Sequence, residues 1–171
     1  MSQTSVASAM SLPFPGVIIE ELLSCTLTSA EASAEIPFGV MVQGGASDDL
    51  ALLLAGAAAT DLMGIVGHSH RFAKTNELGT SGLKPKVTFK GLRKGTLWVI
   101  SEEAVTPQST VRVRHTAGAG GTTLGQFRVA AVANETFNIS SFARWRTSAN
   151  ALQPAKLEID MTNASGVTAD T

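Results

Sequence analysis

Apolar residues along this chain come in short runs closed by Gly, Pro, Asp or Ser. That spacing predicts many short strands. Residues 36–43 (IPFGVMVQ) form the clearest run, closed by Gly44 and Gly45. Residues 62–70, 96–100 and 110–114 follow, and residues 17–19 and 25–28 read as earlier strands. Residues 86–90 alternate strictly, as a half-exposed strand does, and a turn is expected over residues 91–94. Residues 126–132, 137–143 and 155–161 complete the set. In residues 111–115, Val111, Val113 and His115 share one face, while Arg112 and Arg114 share the other. The expected fold is all-β, a small β-barrel or β-sandwich with at most one or two short helices.

Two stretches stay open. Residues 48–59 combine leucines and alanines of high helix propensity with strand neighbours, so helix and loop-strand-loop both fit. Residues 29–35 suit a short helix or a loop. At the ends, residues 1–11 hold little to bury and are expected to be mobile. Pro13-Phe14-Pro15 favours an extended path. The expected organisation is an extended arm at 1–16, a β-rich domain at 17–161 and a loose tail at 162–171.

At 171 residues the chain can bury a core without disulfides, and its one cysteine, Cys25, is expected to be a small buried hydrophobe. The first residues lack a basic n-region, so no signal peptide is expected, and synthesis in a cytoplasm follows. No apolar run reaches the ~18 residues of a membrane span. Charge is lopsided. Glu20, Glu21, Glu31, Glu35, Asp48, Asp49 and Asp61 precede every basic residue, and all 13 Lys and Arg lie from Arg71 onward. This describes either two solvated faces or an acidic segment that meets a basic surface on a partner or neighbour. The basic residues are dispersed and tyrosine is absent, so neither a nucleic-acid nor a membrane partner is expected.

Candidate chemistry is thin. His68 and His70 share a strand face, and with His115 they would form an incomplete metal set. The bland alternative is an ordinary strand-end pair. Glu102 and Glu103 are adjacent, so on a strand or turn they point apart and do not form an acid/base pair on one bond. The glycines of residues 118–125 lack the lysine of a phosphate loop and read as a hairpin loop. The sequons at Asn134, Asn138 and Asn163 are chance matches in this context. Arg144-Trp145-Arg146 is the most suggestive contact motif, since Trp and Arg are enriched at interface hot spots. A core tryptophan flanked by exposed arginines is the alternative. No catalytic residue, cofactor or metal is expected.

The order of IPFGVMVQGG (36–45), an Ala-rich connection, LMGIVGHSH (62–70), GTLWVISEEAV (95–105), STVRVRHTAGAGG (109–121) and AKLEIDM (155–161) resembles the head cement, or decoration, proteins of tailed bacteriophages. The resemblance covers residues 13–161 and rests on structural signatures. It implies a small β-rich, non-enzymatic protein on the outer face of a phage capsid, bound to the major capsid protein and commonly trimeric. Pro13, Phe14, Pro15, Arg144, Trp145 and Arg146 are the candidate contacts. A head-tail connector or tail subunit would share the composition. A small β-barrel metal-dependent hydrolase or ligand-binding protein using the three histidines is the reading of a different class.

Overall fold

A computed structural model describes residues 15–19, 26–32, 35–46, 50–56, 62–68, 82–118, 122–163 and 167–170. Thirteen strands run through them: β1 (Thr26–Ala32), β2 (Ile36–Pro37), β3 (Met41–Gly44), β4 (Leu50–Leu53), β5 (Leu62–Val66), β6 (Gly82–Leu83), β7 (Thr88–Ile100), β8 (Arg112–Arg114), β9 (Phe127–Arg128), β10 (Thr136–Asn138), β11 (Ala143–Trp145), β12 (Pro154–Asp160) and β13 (Thr168–Ala169). Among the described residues the helical element is a single 3-10 turn, Met161–Asn163.

The fold is all-β. A seven-stranded sheet runs β1-β4-β3-β5-β7-β12-β11, a four-stranded sheet runs β13-β10-β8-β9, and β2 pairs with β6. β1 also pairs with β7, so one end of the large sheet curls back on itself. The β1–β4 and β5–β7 joints are two residue pairs each, and the arrangement is sandwich-like without a closed barrel.

Long β7 organises both cores. Thr88–Ile100 is continuous where a turn over residues 91–94 was expected. Lys94 opposes Thr26 and Leu92 opposes Leu27, leaving Arg93 as the extra residue of a β-bulge. The bulge shifts the alternation by one. Even-numbered Leu92 and odd-numbered Leu97 and Val99 therefore face the same core, with Val113, Phe127, Phe137, Trp145, Leu157 and Ile159. Before the bulge, Phe89 faces a second core with Val40, Val42, Val66 and Leu83. A pleat that changes phase looks like a turn when only polarity is read.

Other departures have local causes. The expected strand over residues 36–43 is broken at Phe38-Gly39, where Gly39 turns with φ +75°, giving β2 and then β3. Residues 29–32 continue β1, and residues 50–53 form β4, because β3 and β1 supply hydrogen-bonding neighbours that outweigh helix propensity. The stretches expected as strands at 126–132 and 137–143 shrink to β9 and to the short pair β10 and β11.

Residues 15–19 lie along the second half of β7. Gly16 N–H donates to Trp98 O at 2.6 Å, Trp98 N–H to Val17 O at 3.0 Å and Ile19 N–H to Thr96 O at 2.9 Å. Gly16 has φ +80°, and a Cβ there would stand 2.8 Å from Val66 O, so glycine is what allows this approach. The tail expected to be loose contributes β13, paired with β10. Residues 1–14 lie outside the described residues.

Candidate functional site

Charged side chains gather in two places. The first lies where β7 ends against the four-stranded sheet. Ser101 bridges to Phe127, and Glu102 N–H donates to Phe127 O, which sets the Glu102-Glu103 pair over β8 and β9. Arg114 donates through Nε to Glu102 Oε1 at 2.7 Å and through Nη2 to Oε2 at 2.8 Å. Its Nη1 donates to Glu135. Arg128 bridges Glu102, at 3.1 Å, and Glu103. Glu103 also accepts from the Val129 and Ala130 amides, at 3.0 and 2.7 Å.

This chain of ions is largely closed to solvent. The Arg114 side chain is 3% exposed. Its hydrogen bonds to Glu102 raise the guanidinium further above its ordinary range, against the burial that would lower it. Burial by itself would raise the Glu103 carboxyl; the Ala130 and Val129 amides and Arg128 outweigh it and hold the group below its ordinary value. Beside the network, Arg112 donates to both Asp170 oxygens, at 3.2 and 3.1 Å, and pins β13. Arg112 and Arg114, expected to share the face opposite Val111 and Val113, are half-buried and buried. Sequence reasoning also missed Glu102 as the partner of Arg114, and Glu102 and Glu103 as the partners of Arg128. The available signal was arginine at alternate positions of one strand and a Glu-Glu pair directly after another.

The second gathering lies on the outer face of β11 and β12. Arg144, expected as a contact, is 59% exposed and donates to Glu158 at 3.0 and 2.9 Å. Arg146 is exposed and shares the same carboxylate. Arg144, then Arg146, hold the Glu158 carboxyl below its ordinary value. On the same face the Thr162 hydroxyl, then Lys94, bring Asp160 down to about 2, and Lys156 stands over the Trp98 ring at 5.3 Å.

Trp145 points the other way. It is 1% exposed, edge-on to Phe127 at 6.4 Å, and donates through Nε1 to Thr110 O at 3.3 Å. The motif is therefore a core tryptophan between two exposed arginines. Pro15 is half-buried beside the docked Gly16, while Pro13 and Phe14 lie outside the described residues.

The histidines are dispersed in role. His68 lies near Phe38, with ring centroids 4.7 Å apart. His70 is outside the described residues. His115 is 3% exposed and stacks on Phe137 at 4.1 Å. Its buried Nε2 has no hydrogen-bond partner among the described residues, and burial holds its pKa below the ordinary value. Among the described residues no group of three His, Cys, Asp or Glu side chains is placed to hold a metal ion, and no helix is long and apolar enough to cross a membrane.

Most of these charges are neutralised in pairs, an arrangement that joins elements to one another. The fold is similar to a chain from the capsid of Myoviridae phage XM1, with a TM-score of 0.68 and 14% identity, covering 96% of this chain and 99% of that one. It has a looser likeness to the head fiber gp8.5 N base of bacteriophage phi29, at a TM-score of 0.41 and 10% identity, covering 83% and 99%. No curated protein sequence gives a significant match. The profile of the phage structural cement proteins (E217 gp24/Pam3 gp6) matches residues 2–160. On that match the chain belongs to the phage structural cement protein family, and its role is that of a structural protein of the virion capsid.

Proposed function

We propose that this protein binds the outer surface of the assembled phage head and bridges neighbouring subunits of the major capsid protein, as a homotrimer and without catalysis. The observation that carries the reading is the family match across residues 2–160. The chemistry of the fold is in keeping with it: glutamates and arginines that a hydrolase would present in a cleft are here tied to each other between β7, β8 and β9. Synthesis in the bacterial host cytoplasm precedes addition to the head. A protein that binds the assembled shell and not its free subunits stabilises the shell by mass action.

Arg144 and Arg146, with Pro13, Phe14 and Pro15, are our contact residues. Trp145 supports them from behind by fixing the strand that carries Arg144. The test is occupancy. Purified full heads should carry the chain at a copy number near that of the shell protein, and the isolated chain at micromolar concentration should sediment as a trimer. A handful of copies per head would point to a connector instead, and a clean monomer that still binds heads would remove the trimer.

A further inference from the structure

Lys94, Arg112, Arg114, Arg128, Arg144 and Arg146 each hold a carboxylate, and Lys156 lies over Trp98. Four other cations differ. Lys84, Lys86, Lys90 and Arg93 are all exposed, and none has an ion-pair partner among the described residues. They fall within ten consecutive residues, along the β6–β7 turn and the first half of β7. Phe89 and Leu92 of the same segment enter the two cores, so Lys90 and Arg93 stand on a packed strand, with Lys84 and Lys86 on the turn before it. The bulge leaves Arg93 as the residue without a direct partner on β1, and its side chain is exposed. Lys86 has φ +64°, where glycine or asparagine fits with less strain, so the local backbone gives no reason for a lysine.

We propose that the strip Lys84, Lys86, Lys90 and Arg93 faces the capsid and docks on a carboxylate-rich patch of the shell protein. This rests on the cement reading and names a surface and a partner chemistry for it. Charge decides the partner. Four cations without an ion-pair partner among the described residues attract an anionic surface, steer encounter with it and break no described ion pair on engaging it. Large apolar side chains exposed among the described residues are Ile19 and Leu152, too few to make an apolar docking face there. Nucleic acid fits worse. The strip has three lysines and one arginine, and its one aromatic, Phe89, is buried and gives bases nothing to stack on.

The test uses the full chain and undecorated heads. A zero-length carbodiimide coupling of decorated heads should join Lys84, Lys86 or Lys90 to Asp or Glu side chains of the shell protein, read by mass spectrometry of the wild type. The variant K84E/K86E/K90E/R93E should cosediment with heads at least about 30-fold more weakly at ~0.1 M salt, with the gap to wild type narrowing as added salt shortens the screening length. K156Q, at a lysine that stands over Trp98 and lies outside the strip, should stay within about threefold of wild type. Its thermal melt shows whether the reversed variant folds, and the coupling result does not depend on it. Cross-links confined to the cement chain, reversal that leaves head binding within about threefold, or reversal that abolishes only self-association or DNA retention would each overturn the proposal. Failure of the wild-type chain to bind heads at all would instead overturn the cement reading on which it rests.

Discussion

Arg114 grips Glu102 with both Nε and Nη2, at 2.7 and 2.8 Å, from a position only 3% exposed. Glu102 also receives Arg128, so one carboxylate ties β8 and β9 to the end of β7. Removing Glu102 leaves the buried Arg114 with Glu135 alone and Arg128 with Glu103 alone. Glu102→Leu should therefore destabilise the fold by about 3–5 kcal/mol. The double variant Arg114→Met/Glu102→Leu should lose less than Glu102→Leu alone. Denaturant unfolding of the two settles it, and a double variant worse than the single would show that the ions matter beyond their mutual compensation.

Glu103 gives the fold an acid limit. Its carboxyl is held below the ordinary value in the folded chain, so the unfolded chain binds the proton first as pH falls. Its stabilisation is complete above the ordinary carboxylate range and is lost as pH drops through the lower, folded value. Melting curves from pH 7 to pH 3 should show the wild type losing more stability below about pH 4 than Glu103→Gln. Parallel curves would mean that Glu103 is no tighter an acceptor folded than unfolded.

His115 acts in a higher window. Burial disfavours its charged form, so here too the unfolded chain takes up the proton first, starting near pH 6.5. Arg114 opposes the charge further, while Glu135 and Asp170 favour it. Stability should decline from about pH 6.5 downward. His115→Phe, which can still stack on Phe137, should flatten that part of the profile between pH 7 and pH 5. An unchanged slope in the variant would assign the decline to another group.

Trp145 and its neighbouring arginines separate fold from surface. Trp145→Ala should cost about 3–5 kcal/mol, because it opens a cavity beside Phe127 in the main core. Arg144→Ala and Arg146→Ala should each leave stability nearly unchanged, because exposed ion pairs contribute little. Urea midpoints decide between them. A mild Trp145→Ala would contradict the packing.

The strand content was legible in polarity and turn residues, and so was the inward row Leu157, Ile159 and Met161, which runs from β12 into the 3-10 turn. The phase change at Arg93 was not, because a bulge depends on what the neighbouring strand offers: Leu27 opposite Leu92 and Thr26 opposite Lys94. The buried state of Arg114 was hidden for a similar reason. Alternation says which residues share a face, and only the second element over that face, carrying Glu102 and Glu135, makes burial of a charge tolerable. Leu50–Leu53 became a strand through pairing with β1 and β3, which no local propensity reports. The Arg144-Trp145-Arg146 motif was seen, and its split between surface and core was one of the two readings that its sequence allowed. The strip at Lys84, Lys86, Lys90 and Arg93 stood out only when the other described cations had been matched to carboxylates or, for Lys156, to Trp98.

The most direct test of cementing compares DNA release on heating from heads with and without this protein, at full occupancy and fixed salt. Many copies, each adding a few kcal/mol of shell binding, should shift release from decorated heads to higher temperature. Superimposable release curves would contradict the account, since a bound protein that leaves the shell no harder to open decorates it without cementing it.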